Sequence, residues 1–222
     1  MKNLTLIIPA KNEPESLPIF LNEIKNFECK KLIVLKEDDV LTMNSLDGFN
    51  DISILNQKKS GYGNAIIEGI NFCETDYFCI INADGSMDPK YLSEMYNLCQ
   101  NIDLVFTSRY LKNGGGSDDD TIITFVGNKI FSFLGNLFFN LKISDILFTY
   151  VLGKTSSFKF LNLQSQDFRL CVELPIKAKK KGLKFIDIPS YERSRIGGVK
   201  KVNAIKDGFL IMTKIIVLFL LK

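Results

Sequence analysis

Short apolar runs alternate with longer segments of helical periodicity along this chain. Residues 15–27 and 64–72 carry apolar side chains three and four positions apart, which is the spacing of a helix with one buried face. The short runs are rich in β-branched residues and predict strands at 4–8, 32–35, 52–55, 77–81, 104–108 and 185–188. Alternating strands and helices predict βαβ units, and therefore an α/β fold with a mostly parallel central sheet.

The fourth predicted strand stops at a turn of acidic and small residues, Asn82-Ala83-Asp84-Gly85-Ser86. Ligand sites of open α/β sheets lie beyond the carboxyl ends of the strands, so Asp84 is expected at the mouth of a site. A carboxylate there is well placed to hold a divalent cation together with a substrate's phosphates. The alternative is that Asp84 and Ser86 only cap a helix beginning near Pro89.

Two glycine-containing loops are further candidates. Gly61 and Gly63 open the second predicted helix, where backbone N–H groups can approach an anion or a nucleotide. Residues 113–120 join three glycines to three aspartates, which predicts a mobile lid or a solvated link more than a metal cage.

Composition excludes several classes of protein. A length of 222 residues, with 46% hydrophobic and 24% charged residues, suits one globular domain or one domain with a tail. A net charge of +3 is too small to indicate nucleic acid binding. The chain has no histidine, which rules out histidine bases, triads and zinc ligands. Its five cysteines lack paired spacing and predict reduced thiols in a cytosolic setting.

Two segments are unusually apolar. Residues 122–143 form a phenylalanine-rich helical pattern, and residues 209–221 are almost wholly apolar but broken by Lys214. Neither is expected to span a bilayer, so core packing, a dimer interface and contact with a membrane surface stay open. Lysines that could meet anionic headgroups are Lys142, Lys200, Lys201, Lys206, Lys214 and Lys222.

Several motifs occur in one order along nearly the whole chain: Ile7-Ile8-Pro9-Ala10-Lys11-Asn12-Glu13, Gly61-Tyr62-Gly63-Asn64-Ala65, Asn82-Ala83-Asp84-Gly85-Ser86-Met87-Asp88-Pro89, Thr107-Ser108-Arg109-Tyr110, Ser144-Asp145 and Arg195-Ile196-Gly197-Gly198-Val199-Lys200-Lys201. The ordered set resembles the family 2 glycosyltransferases with the GT-A fold. Within that family it is most similar to the dolichol-phosphate mannosyltransferase-like branch.

The resemblance implies a Rossmann-like GT-A domain over residues 1–202 and a C-terminal apolar helix over 203–222. It implies a nucleotide-sugar donor (a GDP- or UDP-hexose), a divalent metal (Mg²⁺ or Mn²⁺) and a polyprenyl phosphate acceptor. Such an enzyme would be cytoplasmic and peripheral at the inner face of the membrane. A homodimer is possible, and nucleic acid is not an expected partner.

Carried over by position, the resemblance also assigns roles. Pro9, Lys11 and Glu13 line the nucleotide pocket, Asn82 and Ala83 contact the donor, and Asp84 with Ser86 holds the metal. Arg109 lies near the sugar or the acceptor phosphate, Asp145 lies on the acceptor side, and Arg195 and Lys201 belong to a loop that closes over the phosphates.

The chain departs from the family's pattern at four places. Glu37 or Asp38 takes the place of an acidic turn after the second strand, and Asn82 replaces the first aspartate of an Asp-x-Asp motif. Lys11 replaces a common aromatic residue, and Tyr150-Val151-Leu152 lies where the branch often has an arginine. Two alternatives therefore accompany the main interpretation. One is transfer to a sugar hydroxyl in surface-polysaccharide assembly, with Asp145 as general base; the other is a protein that binds nucleotide-sugars without transfer.

Overall fold

The computed structural model describes residues 1–198 and 201–221, so Val199, Lys200 and Lys222 of the predicted basic and membrane-facing segments lie outside the described residues. The described elements, in chain order, are β1 (Leu4–Pro9), α1 (Ser16–Glu23), β2 (Lys30–Leu35), α2 (Val40–Asn44), β3 (Ser53–Asn56), α3 (Tyr62–Phe72), β4 (Tyr77–Ile80), a 3-10 helix (Pro89–Tyr91), α4 (Leu92–Leu98), β5 (Leu104–Ser108), β6 (Gly116–Ser117), α5 (Ile122–Phe139), β7 (Val151–Lys154), α6 (Thr155–Leu161), α7 (Leu170–Lys180), β8 (Phe185–Pro189), β9 (Tyr191–Glu192) and α8 (Ala204–Leu220).

Within the described residues, the central sheet has seven strands in the order β3-β2-β1-β4-β7-β5-β8. All neighbouring pairs are parallel except those of β7, which runs antiparallel to β4 and β5. The predicted α/β fold and the six predicted strands are confirmed. Strand β7 was not predicted because it contains Gly153, which weakens a strand signal, and runs directly into α6.

Apolar layers cover both faces of the sheet. One layer includes Ile66 of α3, Phe158 of α6, Leu174 of α7 and Ile215 of α8. The other includes Leu17 and Phe20 of α1 with Leu92 and Met95 of α4. Because both faces are covered, the central strands read as continuous apolar runs, which is typical of parallel sheets.

Helices α5 and α8 pack against each other and leave much of their apolar surface uncovered. The Phe138 and Phe219 rings lie 4.8 Å apart, while Phe133 and Leu137 are 62% and 61% exposed. By length and composition, α5 alone among the helices of the described residues could cross a membrane, a property that core helices of other proteins share. It ends at Phe139 and not at residue 143, because Asn140 adopts a left-handed conformation with φ 51°.

The cysteines agree with the expectation of reduced thiols. All five are free, and four of them, Cys73, Cys79, Cys99 and Cys171, are buried. Burial raises the pKa of Cys99 and of Cys171 to about 12, which keeps these thiols protonated and unreactive at neutral pH.

Candidate active site

The predicted site residues gather at one edge of the sheet. Strands β1, β2, β3, β4 and β5 point the same way, so their carboxyl ends meet there. Pro9 ends β1, Asn82 and Asp84 follow β4, and Arg109 follows β5. The pairing of the strands therefore brings together motifs that are far apart in sequence.

Asp84 is held in a tight turn. The backbone N–H and the hydroxyl of Ser86 both donate to Asp84 Oδ1, at 3.0 and 2.8 Å. Gly85 adopts a left-handed conformation with φ +73°, and a Cβ there would lie 2.3 Å from Ile196. The 3-10 helix that follows is capped by Asp88, which accepts from the Lys90 N–H at 3.0 Å. The alternative that Asp84 and Ser86 serve as the cap is therefore wrong.

The residues of this turn fit a metal that arrives with a substrate. Among residues 1–198 and 201–221, no three His, Cys, Asp or Glu side chains come together as a metal cage. Asp84 Oδ1 is engaged by Ser86, while Oδ2 faces Arg195 at 3.8 Å. Divalent cations such as Mg²⁺ are commonly held by one or two carboxylates plus the phosphates of a nucleotide. A single carboxylate matches that mode and does not match a dedicated protein cage.

The segment that carries Arg195 closes over this turn. Arg193 N–H donates to Ser86 O at 2.9 Å, and Ile196 N–H donates to Asp84 O at 2.8 Å. Arg195 lies between two acids, 3.2 Å from Asp119 and 3.8 Å from Asp84. These contacts place the predicted phosphate-binding arginine directly above the predicted metal ligand.

Lys201 reaches the loop after β1. Its Nζ lies 3.1 Å from Glu13 Oε1, while the other oxygen of Glu13 accepts from Ser16 Oγ at 2.6 Å. Gly198 passes so close that a Cβ would lie 2.7 Å from Glu13 Oε2. Pro9 is half-buried and Lys11 is exposed at the same loop. The basic segment therefore covers the predicted nucleotide pocket as well as the metal turn.

The turn after β2 contains the predicted contacts Glu37 and Asp38, and also Asp39, to which the sequence analysis gave no role. Glu37 and Asp38 are exposed and, with Asn56, Gln57 and Lys58 among others, line a cleft of about 500 Å³. Asp39 accepts the Asn12 N–H at 2.7 Å and the Thr42 N–H at 3.3 Å, so it caps α2 and ties the β1 and β2 loops together. A cap position before a short helix is the signal that could have identified it. Contact of Glu37 or Asp38 with a donor stays a prediction.

Gly61, which precedes α3, and Gly63, in its first turn, make room for protein backbone. A Cβ on Gly61 would lie 2.2 Å from Gln166 O, and one on Gly63 would lie 2.2 Å from Ser165 O. Asn64 N–H donates to Gln166 O at 3.1 Å. The absence of a Cβ at this pair therefore allows close packing against residues 165–167. Gly61 itself is exposed, and its contact with a nucleotide stays a prediction.

Asn82 is held by partners that sequence reasoning missed. Its Oδ1 accepts from the Tyr62 hydroxyl at 3.0 Å, and that hydroxyl also lies 2.6 Å from Thr149 Oγ1. Burial raises the pKa of Tyr62, so the hydroxyl stays protonated. The Tyr62 ring stacks on Phe168 at 5.0 Å. Neighbouring Ala83 is buried. No pattern in the sequence links Tyr62 to Thr149, because the fold alone brings them together.

Arg109 and Asp145 form a buried ion pair. The guanidinium donates to both Asp145 oxygens, at 2.7 Å from Nε and 3.0 Å from Nη2, and its Nη1 donates to Glu192 at 3.0 Å. Asp145 has no exposed surface, and its carboxylate also accepts the Arg109 N–H at 3.2 Å. A general base has to reach the acceptor, so the base role considered for Asp145 would require Arg109 to release it.

The role of Glu192 was not predicted, and neither was the strand pairing of the glycine and aspartate segment 113–120. Ser117 of β6 donates to the Glu192 carboxylate, and Asp118 N–H donates to Glu192 O at 2.9 Å. Strand β6 pairs with β9, so the glycine and aspartate segment forms one wall of the site. The segment is therefore not a solvated link, and its role as a mobile lid stays a prediction. A two-residue strand has no periodicity from which it could be recognised.

Comparison with known proteins agrees with this architecture. The family model for glycosyl transferase family 2 matches residues 5–161. An undecaprenyl-phosphate mannosyltransferase of Micrococcus luteus is 26% identical over 213 residues, covering 85% of this chain and 82% of that protein. Glycosyltransferase AglJ of Haloferax volcanii is 22% identical over 219 residues, covering 95% of this chain and 70% of that protein.

Among solved structures, glucosyl-3-phosphoglycerate synthase from Mycobacterium tuberculosis, crystallised with Mn²⁺, uridine diphosphate and phosphoglyceric acid, superimposes with a TM-score of 0.71. Its sequence identity is 12%, and the match covers 98% of this chain and 78% of that one. At this identity the likeness shows the fold, which is the predicted GT-A fold. Together with the family match over more than half of its length, this establishes that the chain is a member of glycosyl transferase family 2.

Proposed function

We propose that this glycosyltransferase moves a hexose from a nucleotide-sugar to a polyprenyl phosphate at a membrane surface, with Mg²⁺ or Mn²⁺. The observation that carries the donor half is the Asp84 turn at the end of β4, covered by the segment of Arg195. The acceptor half draws on the undecaprenyl-phosphate mannosyltransferase relative and on the uncovered apolar faces of α5 and α8.

The donor chemistry is electrostatic. As the sugar leaves, negative charge develops on the nucleotide diphosphate, and cations positioned in a site that excludes water stabilise it. A divalent metal held at Asp84 would supply part of the stabilising positive charge. Arg195 and Lys201 supply the rest by exchanging Asp119 and Glu13 for phosphate oxygens. The Arg195–Asp119 pair is partly exposed, so its exchange costs little free energy, and buried Glu13 keeps the Ser16 hydroxyl as a donor when Lys201 leaves it.

The acceptor chemistry does not require a strong base. A phosphate monoester is already an anionic nucleophile, whereas a sugar hydroxyl needs a carboxylate to take its proton. Both carboxylate oxygens of Asp145 accept hydrogen bonds from Arg109, and the chain has no histidine. Both facts favour the phosphate acceptor over the hydroxyl acceptor. Arg109 can turn toward an acceptor most easily by releasing Glu192, which it holds through a single hydrogen bond.

Access to a lipid acceptor is supported by α5 and α8. Their exposed apolar side chains include Ile122, Ile130, Phe133, Leu137, Phe209 and Leu220. Helix α5 begins at Ile122, two residues after Asp120, whose carboxylate accepts from the Tyr110 hydroxyl beside Arg109. The apolar surface therefore starts beside the candidate site, where a long hydrocarbon chain would have to leave it. This arrangement suits a peripheral enzyme at the cytoplasmic face.

A donor screen tests the proposal. The full chain is incubated with UDP- and GDP-hexoses in Mn²⁺, Mg²⁺ or EDTA, and release of nucleoside diphosphate is measured. We expect release from one donor class, dependent on metal and lost in Asp84→Ala, with Glu94→Ala on exposed α4 surface as a matched control. Metal-dependent binding without release or transfer would instead identify a nucleotide-sugar-binding protein. Release that is equal in EDTA, or in Asp84→Ala, would contradict the assignment of the site.

A further inference from the structure

A second buried carboxylate lies on the far side of the glycine turn, outside the residues discussed so far. Glu173 of α7 has no exposed surface. It accepts hydrogen bonds from the N–H groups of Gln164 at 3.1 Å and Ser165 at 2.7 Å. Two lysines neutralise it, Lys177 at 2.9 Å from the same helix and Lys214 at 3.3 Å from α8. Four donors from three separate segments therefore converge on one side chain.

Glu173 binds residues 164–165, and the neighbouring carbonyls of residues 165–166 pack against Gly61 and Gly63. Ser165 O and Gln166 O occupy the space that a Cβ would take on Gly63 and Gly61, and Gln166 O accepts the Asn64 N–H. With contacts this close, a shift of residues 165–166 has to move the turn that opens α3. The turn that opens α3 carries Tyr62, and the Tyr62 hydroxyl donates to Asn82, which precedes the Asp84 turn.

We propose that Glu173 is a positioning residue of the donor site and that Lys214 makes α8 part of that site. Glu173 fixes residues 164–166, these fix the glycine turn, and the turn fixes Tyr62 and Asn82. The inference rests on the proposed function only in taking Asn82 and Gly61 as donor contacts. It assigns the C-terminal helix a role in nucleotide binding that is separate from any contact with lipid.

Helix α8 offers a matched control for this role. Lys180 of α7 also holds α8, because its Nζ donates to Leu218 O and, at 2.6 Å, to Leu221 O. Glu173 is not among the groups that Lys180 contacts in the described part of the chain. Lys180→Met therefore removes contacts with the C-terminal end of α8 and leaves the four donors to Glu173 in place, whereas Lys214→Met removes one of the two cations that neutralise Glu173.

Calorimetry of UDP and GDP binding in Mn²⁺ tests the proposal on the full chain. We expect Lys214→Met and Glu173→Gln to weaken binding of the preferred nucleotide roughly three- to tenfold, the range expected for coupled neighbours. Lys180→Met should leave the affinity unchanged. The proposal is overturned if Lys214→Met and Lys180→Met change the affinity equally, or if both Lys214→Met and Glu173→Gln lower only the melting temperature.

Amide hydrogen exchange of the ligand-free chain gives a second readout that does not depend on nucleotide binding. We expect faster exchange at residues 61–66 in Lys214→Met and Glu173→Gln but not in Lys180→Met. Unchanged exchange there in Lys214→Met and Glu173→Gln would refute the positioning role. If the wild type binds neither nucleotide, the proposed donor fails, and the exchange result still decides whether Glu173 positions the turn.

Discussion

Arg109 grips Asp145 through two parallel hydrogen bonds, from Nε at 2.7 Å and from Nη2 at 3.0 Å, in a place where the aspartate has no contact with solvent. Such a bidentate pair is strong and geometrically specific. Burial works against the charged guanidinium, but the charges of Asp145 and Glu192 outweigh it and raise the pKa of Arg109. The pair therefore stays ionised, and both carboxylate oxygens of Asp145 are occupied by Arg109.

Breaking the Arg109–Asp145 pair should strongly lower the free energy of unfolding. Asp145→Asn leaves the 9% exposed Arg109 side chain with one charged partner, and we expect a loss of about 3–5 kcal/mol in the free energy of unfolding. Glu192→Gln should cost less than Asp145→Asn, because Glu192 accepts one hydrogen bond from the Arg109 guanidinium whereas Asp145 accepts two. Urea unfolding of both variants measures the difference. Equal losses would show that Asp145 is not the principal partner.

Acid should weaken the fold through Glu173. Burial alone would raise the pKa of this carboxyl, but the hydrogen bonds from Lys177 and Ser165 and the charge of Lys214 outweigh burial and lower the pKa to about 2. Because the folded pKa is below the ordinary 4.5, the contribution is fully present above pH 4.5 and is lost as the pH falls toward 2. It amounts to about 3 kcal/mol at most.

Denaturant midpoints of wild type and Glu173→Gln, measured from pH 6 downward to about pH 2, check this expectation. The stability of the variant should fall less steeply with acid below pH 4.5 than that of the wild type. Parallel curves over this window would show that Glu173 does not titrate with a lowered pKa in the folded protein.

Arg195 and Lys201 should matter more for turnover than for stability. The Arg195–Asp119 pair is partly exposed, and such pairs contribute roughly 0–1 kcal/mol to folding. Lys201 is itself 28% exposed, and its buried partner Glu13 also accepts from the Ser16 hydroxyl, which remains when Lys201 is removed. We expect Arg195→Ala and Lys201→Ala to lower donor turnover while their melting temperatures stay close to that of the wild type. Lys179→Ala, on the exposed surface of α7, controls for loss of one positive charge. Sharply lowered melting temperatures with unchanged activity per folded molecule would make both residues structural.

The α5 and α8 surface should bind anionic vesicles reversibly. Apolar burial supplies part of the free energy, and each lysine near the headgroups adds about 1 kcal/mol that salt screens. In flotation with vesicles rich in anionic lipid, we expect the double variant Phe133→Ser and Leu137→Ser to stay in solution more than the wild type. Leu41→Ser removes a comparably exposed apolar side chain from α2 and should bind as the wild type does. If the wild-type protein remains wholly unbound at low salt, the proposed association with a membrane surface is wrong.

The sequence predicted those features that depend on local pattern. Runs such as 77–81 and 104–108 show the sheet, because central parallel strands are buried on both sides and need continuous apolar residues. The turn at Asp84 followed from its place after such a strand. Features that depend on pairing between distant segments escaped prediction, as with Tyr62 and Thr149 at Asn82. The same holds for Glu192, whose partner Arg109 lies 83 residues earlier in the chain.

Transfer of labelled hexose into lipid tests the central claim most directly. The full chain is incubated with the labelled donor chosen by the screen, with Mn²⁺ or Mg²⁺, and with either a polyprenyl phosphate or the corresponding polyprenol. We expect label to enter the organic phase only with the phosphate, only with metal, and not in Asp84→Ala, while Glu94→Ala transfers as the wild type does. Label on the polyprenol at an equal rate, or transfer to a sugar hydroxyl with none to the polyprenyl phosphate, would contradict the account.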